Sequence, residues 1–215
     1  MTAPANTIVE PTEKRVIAFV DGQNLFNHVK SAFGYDYPNY DVQLLALAIC
    51  KQKTNWNLKN VKFFTGIPVQ NKDSRRFGFW TNKLAAMGRR GITVYSRKLV
   101  YRQKTITVPG FGDHSFEDIQ EKGIDVRLSL EVLHAAQKNE FDVGLIFSQD
   151  QDLSEIVPLI DLLVASQKRW IKIASAYPTS LSASSQQGIA NTIQCPFDQT
   201  LYDACIDPRD YRPKP

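Results

Sequence analysis

Two short apolar runs, each ending beside an acid and each followed at once by a helical period, restrict this chain more than any other feature. Val143–Phe147 (VGLIF) is nearly all apolar, with β-branched and aromatic members, as a strand covered on both faces of a parallel sheet must be. It is followed by Ser148, Asp150 and Asp152, and then by Leu153, Ile156, Val157, Ile160, Leu163 and Val164 at helical spacing. Residues 16–20 (VIAFV) repeat the pattern, with Asp21-Gly22-Gln23-Asn24 at the end and Leu25, Phe26 and Val29 beginning a helix. Gly22 suits a sharp turn, and Asn24 stands where its side chain could orient Asp21. Both acids would then sit at the carboxyl end of a strand, where open α/β sheets bind ligands. A purely structural account exists for each: Asp21 as an Asx-turn or helix cap, Asp152 as a cap with Asp150 solvated.

The remaining chain extends this alternation. Residues 41–49 read as a helix, 61–66 as a strand closed by glycine, 72–87 as a helix and 92–95 as a strand. Residues 98–108 alternate loosely, as in a ribbon near a sheet edge, and 109–117 read as a glycine loop. Asp125 opens an amphipathic helix through Val126, Leu128, Leu130, Val132 and Leu133, where a first-turn acid also suits the helix dipole. Residues 170–174 (WIKIA) read as the last strand. The expected fold is a three-layer α/β/α sandwich around a mostly parallel, Rossmann-like sheet. Its domain runs over 15–197, between an N-terminal arm (1–14) and a polar, proline-rich C-terminal segment and tail (198–215).

Composition narrows the classes of function. At 215 residues and 43% hydrophobic, the chain suits one domain with a sizeable core. No apolar run is long enough to span a bilayer and no secretory signal pattern opens the chain, so a cytoplasmic protein is expected. Cys50, Cys195 and Cys205 have neither disulfide nor zinc spacing, and read as reduced thiols. His28, His114 and His134 are scattered, and no glycine-rich phosphate loop follows either strand. Net charge is only +4, yet between Lys72 and Lys104 there are ten Lys or Arg and one acid, Asp73. Such a segment suits a phosphate backbone. Within it Phe77, Trp80, Leu84 and Met87 form an apolar stripe, and Phe79 falls on the opposite, basic side of the helix. Lys72, Arg75, Arg76 and Lys83 are thus the expected track for a phosphate backbone, with Phe79, and Tyr95 or Tyr101, available to stack on bases.

If the two strands are neighbours, Asp21, Asp125, Asp150 and Asp152 converge. Four carboxylates close together repel unless a cation lies among them, and oxygen-only ligation selects a hard ion, Mg²⁺ or Mn²⁺. Such an ion in an acidic pocket suits phosphodiester hydrolysis. The three motifs Asp21-Gly22-Gln23-Asn24-Leu25, Glu121-Lys122-Gly123-Ile124-Asp125-Val126 and Ser148-Gln149-Asp150-Gln151-Asp152-Leu153 together resemble those of NYN domains in the PIN-like nuclease superfamily. The resemblance covers about residues 15–197 and implies a metal-dependent ribonuclease acting on single-stranded RNA. It makes Asp21, Asp125, Asp150 and Asp152 the catalytic and metal-binding quartet, ordered by Asn24 and Ser148, with Lys122 beside them. The chain departs from the family pattern at Gln149, where a small residue is usual, and at Asn191, near a common carboxylate. Two other readings stay open: an RNA-binding, regulatory or defence module with a metal pocket but little turnover, and an oxidoreductase acting on a pyridine compound. The last would need a dinucleotide or flavin motif that is not visible. A homodimer is also left open.

Overall fold

The structure, a computed structural model, describes residues 8–181 and 186–213. Six parallel strands form its sheet: β1 (Lys14–Asp21), β2 (Trp56–Ile67), β3 (Thr93–Lys98), β6 (Val143–Phe147), β7 (Lys172–Pro178) and β8 (Ile193–Phe197). Their order is β3-β2-β1-β6-β7-β8, so the chain moves outward from β1 in one direction, then resumes from β1 in the other. The switch point lies between β1 and β6, the expected neighbours. A separate antiparallel ribbon pairs β4 (Val100–Val108) with β5 (Gly112–Gln120).

Alternation along β1 builds the two layers. Val16, Ala18 and Val20 face one core, with Leu25 and Val29 of α1 (Gly22–Phe33), Leu45 and Ile49 of α2 (Val42–Lys51), and Met87 of α3 (Ser74–Arg89). Ile17 and Phe19 face the other, with Leu128 and Val132 of α4 (Ile124–Gln137) and Ile156 and Ile160 of α5 (Ile156–Gln167). The short helix α6 (Gln199–Asp203) adds Tyr202 to the first core. Each fully buried aliphatic or aromatic side chain contributes about 1.5–3 kcal/mol, which is why the central strands are apolar on both faces.

Several expectations are corrected. Residues 109–117 are not a loop: only the hairpin turn is, and residues 112–120 form β5, hidden in the sequence because both of its faces carry polar residues. The strand read at 170–174 runs Lys172–Pro178 and is not the last, since β8 follows it. In α4 the buried stripe is Ile124, Leu128, Val132, Ala135 and Ala136, while Val126 and Leu130 are exposed. The C-terminal segment is no free tail: Tyr211 is buried, its carbonyl accepts from Asn82 of α3 (3.1 Å), and Pro213 lies where a Cβ on Gly78 would stand. Gly22 serves less for a turn than for close approach, since a Cβ there would lie 2.4 Å from the Phe63 ring. Cys50, Cys195 and Cys205 are all buried free thiols. Among the described residues no helix is long and apolar enough to cross a membrane. Residues 1–7 of the expected arm lie outside the described residues, and Lys14 already belongs to β1.

Candidate active site at the strand carboxyl ends

Register brings the first two acids together. Val20 pairs with Phe147, so Asp21 and Ser148 leave neighbouring strands at the same level. Asp21 caps α1, accepting from the Asn24 backbone N–H (3.0 Å). Asp150 caps the 3-10 turn (Gln151–Glu155), accepting from the Asp152 backbone N–H (3.0 Å). The cap on this turn is therefore Asp150, whereas Asp152 is an exposed first-turn residue. Asp125 lies exposed in the first turn of α4, which follows Gly123 in the left-handed region (φ 71°). Because α4 runs back against the strands before β6 begins, its N-terminus faces the same rim as Asp21 and Asp150.

A fourth carboxylate on this rim was not singled out from the sequence. Glu121, just past β5, accepts a hydrogen bond from the Gly66 N–H at the end of β2. A Cβ on Gly66 would collide with this carboxylate and with Leu99, so glycine is needed at that contact. Glu121 is pushed up to about 7, chiefly by burial and then by the charges of Asp21 and Asp125. Asp21, only 7% exposed, is pushed up to about 6 by burial and by Asp150 and Asp125, against the backbone N–H donors of α1. The coupled acids are thus Asp21, Glu121, Asp125 and Asp150, three of the expected quartet and one newcomer. The signal for Glu121 was its place four residues before Asp125, which sequence order alone does not turn inward.

The supporting residues act differently from expectation. Asn24 does not orient Asp21 with its side chain; its Oδ1 reaches across the switch point to accept from the Gln149 N–H (3.0 Å). Ser148 Oγ accepts from the Asp150 N–H (3.2 Å), and the Ser148 carbonyl accepts from Ser175 Oγ (2.8 Å). Gln149 is accommodated by use: its Nε2 donates to the Gln187 carbonyl (2.8 Å), while Gln151 Nε2 donates to the Gly188 carbonyl (3.0 Å). Lys122 is exposed beside Glu121. Asn191, with φ 59°, precedes β8 and lines a cleft with Trp170, Ile171 and Lys172 at the start of β7, at the far edge of the sheet.

The donors on the rim are all carboxylate oxygens, the set that suits a hard divalent ion. Among the described residues, however, no three His, Cys, Asp or Glu side chains are gathered as a ready-made ligand set. The chemistry of the donors fits Mg²⁺ or Mn²⁺, while their present placement leaves them coupled but apart.

The expected RNA track divides. Lys83 is not available: it is 1% exposed, donates to the Tyr40 carbonyl (2.9 Å) and lies between the Tyr40 and Tyr211 rings. Phe79 is half-buried, its ring edge-on to Trp80 and Tyr211. The docked C-terminal segment is the cause of both corrections. Tyr95 is stacked on Phe64 (4.9 Å) and engaged by the Arg127 guanidinium (4.5 Å), so its ring is already used within the chain. Lys72 lies over Tyr101 and pairs with Glu117. Arg75 and Arg76 remain exposed in the first turn of α3. Of the ten cations between 72 and 104, Lys72, Arg75, Arg76, Arg97, Lys98, Arg102 and Lys104 fall on the acidic side of the sheet, and all are exposed.

No protein-family model and no curated protein matches the chain. Among solved structures, a protein of unknown function from Vibrio parahaemolyticus aligns over 95% of this chain and 98% of its own, at 16% identity and a TM-score of 0.44. MurG of Acinetobacter baumannii aligns over 85% of this chain, at 10% identity and a TM-score of 0.32, and the alignment spans 45% of MurG. Neither likeness carries a residue of one protein onto the other.

Proposed function

We propose that the chain is a divalent-metal-dependent ribonuclease of the PIN-like type, hydrolysing phosphodiester bonds of single-stranded RNA at the switch-point rim. The observation that carries the reading is the convergence of Asp21, Asp150, Asp125 and Glu121, supplied by separate parts of the chain, on the carboxyl side of one sheet. Burial of Asp21 and Glu121, with the repulsion of the acids around them, makes this arrangement costly, and a cation relieves that cost. Asp21, Asp125 and Asp150, with Glu121 beside them, would hold Mg²⁺ or Mn²⁺. Such an ion, when bound, polarises a phosphodiester oxygen and activates water for in-line attack. The chain's own residues set the geometry: Asn24 and Ser148 lock the turn that carries Asp150, and Asp21 is fixed by the first N–H groups of α1. The exposed cations on the same rim suit the RNA backbone.

Asp150→Asn tests the reading. Asn caps a helical turn about as well as Asp, so the fold should hold, and losing one charge from the cluster eases repulsion. Cleavage of single-stranded RNA in Mn²⁺ should fall to background while the melting temperature without metal holds or rises. Cleavage at the wild-type rate in the folded variant would refute the reading. A second reading, an RNA-binding module with little turnover, is favoured by one observation, the absence of a gathered ligand set among the described residues. It predicts RNA binding by the wild type with no metal-dependent cleavage.

A further inference from the structure

The β4–β5 ribbon has two chemically different faces. Residues paired directly across an antiparallel ribbon share a face, and the register pairs Arg102 with Asp118, Lys104 with Phe116, and Ile106 with His114. One face therefore holds Arg102, Lys104, Ile106, His114, Phe116 and Asp118, with both of the ribbon's Lys or Arg residues and one acid between them. The other pairs Gln103 with Glu117, Thr105 with Ser115 and Thr107 with Asp113, and has hydroxyls and acids but no cation of its own.

Anchoring explains which face is free. Lys72, in the loop before α3, engages Glu117 and the Tyr101 ring, and Tyr101 Oη accepts from the Val69 N–H (3.4 Å), all on the hydroxyl-and-acid face. At the root, the Leu99 N–H donates to the Ile67 carbonyl (2.9 Å), and Glu121 is held by Gly66. The ribbon thus springs from the rim that carries the acids. No ribbon residue from 101 to 119 is buried. Phe116 is 40% exposed, Ile106 48%, and Phe111 at the tip 89%. Strands of nine residues, at about 3.3 Å each, project about 30 Å. An isolated ribbon of this kind gains little by exposing aromatic and aliphatic side chains to water, so the exposure points to a partner.

We propose that the Arg102–Lys104–Phe116 face of this ribbon is an arm that holds single-stranded RNA, a proposal that rests on the ribonuclease reading for its choice of partner. Charge complementarity selects the occupant: cations alternating with an exposed ring match a phosphate backbone carrying stackable bases. Lys104 is shared with Asp118 (2.6 Å), an exposed pair of the kind that gives way readily to a stronger anion. Arg102, exposed and directly across the ribbon from Asp118, shares that one carboxylate with Lys104, so two cations face one acid.

The test is anisotropy of a labelled oligouridylate with full-length protein, in EDTA for the wild type and again in the Asp150→Asn background, so that binding is read without cleavage. Arg102→Ala with Lys104→Ala should weaken binding at least about tenfold and flatten the salt slope by about 1.4, from two phosphate contacts on a single strand. Phe116→Ala should weaken binding about tenfold with the salt slope unchanged, because stacking releases no counterions. Wild-type affinity in both variants would overturn the proposal. So would a wild-type dimer that Phe111→Ala turns into monomer with RNA affinity intact, since the arm would then be a protein interface. Loss of binding in the ribbon variants with no cleavage by the wild type would sustain the arm and sink the nuclease, and metal-dependent cleavage with ribbon-independent binding would do the reverse.

Discussion

Asp142 and Asp21 are both buried aspartates next to β strands, and they differ in what surrounds them. At the edge far from the acidic rim, Asp142 accepts from the Arg15 backbone N–H (2.9 Å), from Arg15 Nε (3.0 Å) and from Arg15 Nη2 (2.9 Å). Burial works to raise its pKa, but these bonds more than offset it and leave the carboxyl below the ordinary value. Among the described residues Asp21 has backbone donors but no cation beside it, and it stands above its ordinary value. The first arrangement is a structural clamp between β1 and β6; the second is what a site awaiting a cation would have. Asp142→Ala should cost about 2–3 kcal/mol, the range for a charged hydrogen-bonded pair that is partly exposed on the Arg15 side. Between its lowered folded pKa and the unfolded value of about 4, the folded state binds fewer protons, so stability rises with pH there. The wild-type advantage over Asp142→Ala should therefore be full from about pH 5 upward and shrink as pH falls below about 4. Urea titrations across that range that show a constant difference would contradict the clamp.

At the scale of elements, the long helices, the central strands and the edge strand β3 were legible, while the other edge strand, β8, and the ribbon strand β5 were not. Val143–Phe147 appears as read, because a strand buried on both faces leaves an unbroken apolar run. β8 was missed since its sequence, IQCPF, contains Pro196, which demotes a run unless the strand lies at an edge, as β8 does. β5 was missed because a ribbon with both faces in water needs no apolar alternation. The C-terminal segment was misread for a related reason: polar residues that pair with one another still dock, as Asp207 does with Arg209 and Tyr211. Deleting residues 207–215 should uncover Phe79 and Lys83 and lower stability by about 2 kcal/mol or more, mostly from the lost burial of Tyr211. It should also let the Lys83 ammonium, lowered to about 8 chiefly by burial, return toward its ordinary value. An unchanged melting temperature would mean that the strap contributes nothing.

At the scale of the whole molecule, the sheet decides which acids act together. If the rim holds Mn²⁺, metal should raise the melting temperature of the wild type, because a ligand that binds only the folded state stabilises it. Glu121→Gln and Asp150→Asn should reduce that rise, whereas Asp152→Asn should keep most of it. The opposite ranking, with Asp152 essential and Glu121 dispensable, would restore the expected quartet. The sequence by itself determined the alternation of strand, acid and helix, and with it the parallel sheet and the ends at which Asp21 and Asp150 emerge. Periodicity records burial within an element, so those features are local. Only the tertiary structure decided that Glu121 turns toward Asp21, that Asp152 stays exposed, that Lys83 is buried against Tyr211, and that Phe79 is half-buried beside the same ring. Each of those depends on contacts between residues far apart in the chain, and the pattern along one segment carries no record of which distant segment will pack against it.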